Sequence, residues 1–286
     1  MKIGINAFLW TAGFQKEDCS LFPKIKEGGL DGIELVGFDF ANFPAAEVRR
    51  ELAASGITAT FCTALTGQQN MGSEDAAVRA ATRQFLADAI KTAAESGAEV
   101  LAGPFFSAVG YLPGRRRTAD EWKHAVEGLR SLGEVCEANK IDLAIEPLNR
   151  FECFTLNTAD DAVKLCDEIN HPRIGLLFDT FHANIEEKNL PSAFTKVAKH
   201  LKHVHTCEND RGTPGTGHVD WDGVLKAIVA SGYDRWLTIE SFGPAVKEIA
   251  AAACVWRDFA PSAEDIAFNG GKFLRQRLAV LALPKP

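Results

Sequence analysis

The sequence predicts an α/β fold, a single (β/α)8 (TIM) barrel, and three observations predict it. Short apolar or β-branched runs recur eight times, each followed by a longer stretch with apolar residues at helical spacing. No Pro-, Gly- or Ser-rich linker divides this alternation, so residues 1–286 read as one domain with a helical C-terminal extension. The first strand-to-helix junction, Phe8-Leu9-Trp10-Thr11-Ala12-Gly13, lacks the G-x-G-x-x-G turn of a doubly wound dinucleotide-binding sheet. A chain of 286 residues is an ordinary length for such a barrel.

Strands are expected at 2–8, 32–36, 58–63, 100–104, 142–147, 173–179, 202–206 and 236–241. The stretch 44–52 shows the intervening pattern, apolar on one helical face and charged on the other. Gly56, Gly97 and Gly232 each follow a serine just before the next strand. Glycine there supplies the left-handed residue that closes a helix.

Composition narrows the function classes. Hydrophobic residues make up 46% and charged residues 24%, the balance of a globular protein with a large core. The formal net charge of -7 comes with no basic stripe, which argues against a nucleic-acid partner. The one basic cluster, Arg115 to Arg117, follows Pro113-Gly114 and reads as a solvated turn. No apolar window reaches the roughly 20 residues that span a bilayer. The opening Met1-Lys2-Ile3-Gly4-Ile5-Asn6 runs straight into a strand rather than a secretory signal, so a cytoplasmic protein is expected. Seven scattered cysteines without a C-x-x-C pair read as reduced, mostly buried thiols; Cys62 and Cys207, near strand ends, are candidates for a pocket wall.

Chemistry in a parallel barrel sits where the strands end at their carboxyl side. The four late strands finish on Glu146, Asp179, His205 and Glu240. Asp179 alone would read as the N-cap of the next helix. Four such groups on four consecutive strands converge on one volume, and three neighbouring carboxylates repel unless a cation is present. The mixed oxygen and nitrogen set suits Mn²⁺ best, with Mg²⁺ or Co²⁺ as alternatives; zinc is also compatible with these ligand types. His203 faces the same side as His205 but one layer deeper, and reads as an interior partner of the site rather than a ligand.

These residues lie in longer motifs: Glu146-Pro147-Leu148-Asn149-Arg150-Phe151-Glu152, Asp179-Thr180-Phe181-His182, His203-Val204-His205-Thr206-Cys207-Glu208-Asn209-Asp210-Arg211, Pro214-Gly215-Thr216-Gly217, Glu240-Ser241-Phe242 and Trp256-Arg257. In order and spacing they resemble the ketose 3-epimerases, the D-tagatose and D-allulose 3-epimerase family of xylose-isomerase-like barrels, over nearly the whole chain. The resemblance implies that Glu146, Asp179, His205 and Glu240 hold the metal and that Glu146 and Glu240 are the acid/base pair. It implies that Glu152, His182 and Arg211 hold the oxygens at C1–C3 of a ketose. Alone, Glu152 would read as an exposed carboxylate at a helix start.

The chemistry agrees with the residues. Inverting a carbon beside a carbonyl needs a base on one face and an acid on the other, which two carboxylates across a site supply. The expected activity is C3 epimerisation of a free ketose through a cis-enediolate. The alternatives with the same site are a sugar isomerase, an inosose isomerase or dehydratase, and an enzyme of 3-keto sugars. Too few histidines and too acidic a chain argue against a DNA-repair endonuclease, and the paired glutamates against a sugar binder without catalysis. No phosphate-binding glycine loop is evident after strands seven and eight, so the partner expected is a non-phosphorylated sugar. A homodimer or homotetramer is the expected assembly. Three departures from the family pattern concern the pocket wall: Ala183 in place of a methionine, Ser107-Ala108-Val109-Gly110 in place of an aromatic, and Pro244 after Glu240-Ser241-Phe242-Gly243.

Overall fold

The computed structural model describes residues 1–243 and 246–282; Pro244 lies outside them. Eight parallel strands close into a barrel in sequence order, with the last pairing back onto the first. They are β1 (Lys2–Asn6), β2 (Gly32–Val36), β3 (Thr58–Cys62), β4 (Val100–Gly103), β5 (Asp142–Ile145), β6 (Ile174–Asp179), β7 (Leu201–His205) and β8 (Trp236–Ile239). Around them run α1 (Leu21–Glu27), α2 (Ala45–Ser55), α3 (Ala76–Glu95), α4 (Ala119–Arg130), α5 (Gly133–Asn139), α6 (Ala159–Ile169), α7 (Thr180–Glu186), α8 (Leu190–Val197), α9 (Trp221–Ala230), α10 (Lys247–Ala252) and α11 (Gly270–Leu281). The last of these packs on β1 and α9. No helix among the described residues is long and apolar enough to cross a membrane.

The strands are covered on both faces, which is why they read as apolar runs rather than alternations. Every residue of β2 and of β6 is buried. Most of the apolar core lies between strands and helices, while Val100, Ala102, Ala144 and Leu177 form a separate cluster. At the amino ends of the strands the ring of Trp236 is accommodated by Gly4 and Gly32; a Cβ on Gly32 would come within 2.6 Å of it. The helix-closing glycines take the left-handed conformation expected of them, with φ of 63° at Gly56, 85° at Gly97 and 77° at Gly232.

Six strands end one or two residues earlier than the apolar runs suggest. After β1 the chain turns at once into a 3₁₀ turn, Ala7–Leu9, capped by Asn6, whose side chain accepts from the Phe8 amide at 2.8 Å. Glu146 and Glu240 each stand one residue beyond their strand. The Arg115–Arg117 segment is a loop, but it is more than a solvated turn. Arg115 pairs through both terminal nitrogens with Glu121 at 2.9 Å, and Arg117 pairs with Asp161 while lying 4.3 Å over the Trp122 ring. Helix-face carboxylates supplied the partners, and these are invisible in a local reading of three arginines.

Gly103 ends β4 beneath the site with φ of 146°, and a Cβ there would meet the Thr63 carbonyl oxygen at 1.9 Å. Gly103→Ala is therefore expected to destabilise the barrel by about 2 kcal/mol or more. Gly13→Ala, where nothing lies within 4 Å, should stay within about 0.5 kcal/mol. Urea unfolding midpoints of the two variants check this, and equal midpoints would contradict it.

Candidate metal centre and sugar site

Strand register brings the four strand-end groups together. Asp179 and His205 are register partners on β6 and β7, and β7 pairs with β8, which delivers Glu240. One ligand atom from each of Glu146, Asp179, His205 and Glu240 lies within 4.8 Å of the others, and all four residues are buried. Asp179 serves two purposes, because Oδ1 accepts from the Phe181 amide at 2.7 Å and caps α7 while Oδ2 turns to the cluster. The capping and the ligand readings of this residue are thus compatible.

Three carboxylates in a buried volume demand positive charge. The Arg211 guanidinium provides part of it, donating through Nη1 to Asp179 Oδ2 at 2.7 Å and to Glu240 Oε2 at 2.9 Å. Arg211 itself sits at φ 66°, and its guanidinium carbon lies 4.1 Å from the Phe181 ring centre and 5.1 Å from that of Phe242. Among the four cluster residues, two buried atoms remain without a hydrogen-bond partner, Glu146 Oε1 and His205 Nδ1. They stand 3.7 Å apart, and His205 Nδ1 is 3.4 Å from Glu240 Oε2. An unpartnered carboxylate oxygen and an unpartnered imidazole nitrogen facing one another across a small gap, with carboxylates around them, fit a hard divalent cation.

The two glutamates are driven in opposite directions. Burial, reinforced by the charges of Glu240 and Asp179, pushes the Glu146 carboxyl up to about 8. Burial also acts on Glu240, but His205 and Arg211 outweigh it and hold that carboxyl below its usual range. Without a cation, His205 is held well above the usual imidazole range, burial being overcome by Glu240 and Glu34. His182 is held well below it, by burial and then by Arg211, and stays neutral.

The sugar-site candidates gather at the same place. His182 Nδ1 accepts from the Asn149 amide at 3.1 Å, and its Nε2 is 3.7 Å from Glu146 Oε1. Glu152 is half-buried in the turn after β5 rather than at a helix start, and accepts from Asn149 Nδ2 at 2.7 Å. Burial raises its carboxyl pKa, against the pull of Arg211. With Glu146 and Glu240, these residues line a cavity of about 180 Å³. Its opposite wall is apolar, built from Phe8, Phe38, Phe242 and Ile249. Cys62 also lines it, whereas Cys207 lies behind, its sulfur 2.8 Å from Arg211 Nη1. Among the departures from the family pattern, Val109 belongs to the wall; Ala183 is buried in α7 outside the cavity lining.

Sequence reasoning passed over three residues. Glu34, fully buried in β2, accepts from Asn6 Nδ2 at 2.9 Å and Thr60 Oγ1 at 2.8 Å, and lies 2.7 Å from His205 Nε2 and 2.8 Å from His203 Nε2. Burial would raise its carboxyl, but His205 and His203 hold it well below the usual range. Asn6 also reaches Glu240 Oε1 at 3.3 Å. The signal was available as a charge inside the apolar run Gly32-Ile33-Glu34-Leu35-Val36, costly unless partnered. Glu208, buried after β7, accepts from the Gly215 amide at 2.7 Å, Trp221 Nε1 at 2.9 Å and the Val219 amide at 3.1 Å, and so braces the loop that carries Arg211.

Comparison with known proteins agrees with this geometry. Residues 22–264 match the model of the xylose isomerase-like TIM barrel family. A probable ketose 3-epimerase of Synechocystis is 36% identical over 276 residues, covering 96% of each chain. A ketose 3-epimerase of Arthrobacter globiformis is 30% identical, covering 98% of each chain. The crystal structure of D-allulose 3-epimerase from Methylomonas in complex with D-allulose superposes with a TM-score of 0.91 at 26% identity, covering 97% of each chain. A closed eight-stranded barrel, a buried carboxylate and histidine cluster at its mouth and these full-length matches together place the chain in the ketose 3-epimerase family of xylose-isomerase-like TIM barrels.

Proposed function

We propose that this chain interconverts free ketoses at C3 through a cis-enediolate, with Glu146 and Glu240 as its acid/base pair. The observation that carries the reading is the convergence of these two carboxylates in one cavity, one pushed up and the other held down by their surroundings. Pairs of titratable groups driven apart in this way divide into acid and base. A divalent cation held by Glu146, Asp179, His205 and Glu240, most suitably Mn²⁺ with Mg²⁺ or Co²⁺ as alternatives, would act as the Lewis acid that weakens the C3–H bond.

The protein's own groups then account for the proton movements. Ionised Glu240 takes the proton from C3, and the electron pair moves into a C2–C3 double bond as the C2 carbonyl becomes an oxyanion. Protonated Glu146 returns a proton to the opposite face of C3, and the carbonyl re-forms. In the reverse direction the two exchange roles. Arg211 and neutral His182 are placed to donate to the substrate oxygens at C1–C3, and Glu152 to accept from a hydroxyl. The non-phosphorylated character of the substrate is supported by Glu208, which already occupies the Gly215 amide that a phosphate would need.

Three outcomes follow from this reading. In deuterium oxide with added Mn²⁺, a free ketopentose or ketohexose should gain one deuterium at C3 and its C3 epimer should accumulate. No exchange at C3 of any free ketose, in a panel that also holds inososes and 3-keto sugars, would contradict the proposal. Glu146→Gln and Glu240→Gln should each lower kcat by about 10³-fold or more, because each removes a proton carrier and a ligand; turnover near the wild-type rate in either variant would remove that residue from the mechanism. Cation binding must displace a proton from His205, whose imidazole is held well above its usual range. Calorimetry in two buffers of different ionisation enthalpy should therefore show proton release at pH 7 and weaker binding as pH falls, whereas a flat profile would speak against these ligands.

A further inference from the structure

Asn6, Glu34 and Thr60 are register neighbours on β1, β2 and β3, so their side chains share one level of the barrel beneath the cluster. All three are buried, with Glu34 at 0% exposure. Glu34 has three hydrogen-bond partners, Asn6 Nδ2 and His205 Nε2 on Oε1 and Thr60 Oγ1 on Oε2, and its Oε2 also lies 2.8 Å from His203 Nε2. It is fully buried beneath the cluster and does not line the cavity. Glu34 is therefore placed to hold its neighbours rather than to touch sugar or metal.

We infer that Glu34 is the positioning residue of the metal centre, fixing His205 as the tautomer that presents Nδ1 to the three carboxylates and tying Glu240 to the same plate through Asn6. The inference rests on the metal-dependent reading above. A neutral imidazole whose Nε2 donates its hydrogen at 2.7 Å to a carboxylate leaves Nδ1 bare, which is the form His205 takes once a cation has displaced its second proton. The bare nitrogen is the one that faces Glu146 Oε1 and Glu240 Oε2, 3.7 and 3.4 Å away. Thr60 holds the other oxygen of the Glu34 carboxylate at 2.8 Å. The orientation of Asn6 is independently fixed, because its Oδ1 accepts from the Phe8 amide and only its Nδ2 can face Glu34 and Glu240. The chain thus sets the direction of one ligand and one proton carrier from a single buried carboxylate, as the carboxylate–histidine pairs behind other metal sites do.

Glu34→Met and Glu34→Gln separate positioning from space-filling. Glu34→Met fills the volume but accepts no hydrogen bond, and is expected to weaken Mn²⁺ binding about 10- to 100-fold. Glu34→Gln keeps one acceptor oxygen for His205, with its amide turned toward Thr60 and His203, whose hydroxyl and ring can adapt, and should recover part of that loss. Mn²⁺ affinity is read by calorimetry, and kcat and KM at saturating Mn²⁺ are read separately; KM for the ketose should change less than the metal affinity. A merely structural residue would lower the unfolding midpoint of both variants and leave the affinity of the folded protein unchanged, and that result overturns the inference. Nitrogen-15 spectra of histidine-labelled wild-type protein loaded with Zn²⁺ give a reading that needs no variant. His205 should show a protonated Nε2 and a metal-bound Nδ1. Binding through Nε2 would overturn the inference while leaving the metal reading intact, whereas a wild-type protein that binds no divalent cation would overturn both.

Discussion

Three carboxylates cannot share a buried site without positive charge, and the barrel mouth is arranged around that constraint. Asp179, Glu146 and Glu240 approach one another because three parallel strands end at the same level, and the cost of gathering them must be offset locally. Arg211 meets part of it by bridging Asp179 and Glu240 from a left-handed backbone position, held between Phe181 and Phe242. Glu146 Oε1 and His205 Nδ1 are left facing each other without partners. The remaining demand is for a compact double charge on the side of the cluster that Arg211 does not reach.

The same constraint sorts the surrounding residues by task. On the cavity side Glu146 is pushed up to about 8 and His182 is kept neutral. Two buried carboxylates below it and beside it are well partnered. Glu34 has three partners in Asn6, Thr60 and His205, and Glu208 has three around the loop that carries Arg211, with a fourth from the Asn209 amide. A satisfied network is rigid and a partly satisfied one is reactive, so the barrel keeps its precision in one layer and its chemistry in the next. The apolar wall of Phe8, Phe38, Phe242 and Ile249 then leaves the polar end of the cavity as the place where the oxygens of the proposed sugar substrate would find partners.

Much of this was legible in the sequence, for a physical reason. Carboxylates that finish apolar strands are expensive, so Glu146, Asp179 and Glu240 stand out in a one-dimensional reading, and the eightfold alternation tells that their strands are neighbours. Glu34 was equally out of place in its strand, but its partners are Asn6 and Thr60 on the adjacent strands and His203 and His205 on β7, which only barrel closure brings to it. The Arg117 pair escaped for the same reason, since Asp161 becomes its neighbour only when α4 and α6 pack, whereas Glu121 is a local partner six residues from Arg115. Strand ends were placed one or two residues late because apolar residues such as Phe8 continue past the ladder into the turns that shape the cavity. Ala183 shows the opposite error: a departure from a motif inside the site-bearing segment lies behind the cavity wall rather than on it.

The claim on which the account turns is that one divalent cation completes the charge of this cluster. Crystals grown with Mn²⁺ and measured on both sides of the manganese absorption edge test it most directly. The account predicts a single anomalous peak within bonding distance of Glu146, Asp179, His205 Nδ1 and Glu240, with the Arg211 bridge between Asp179 and Glu240 loosened. A peak elsewhere, or a cluster with Arg211 still seated between those two carboxylates at saturating Mn²⁺ and no metal density among them, would contradict it.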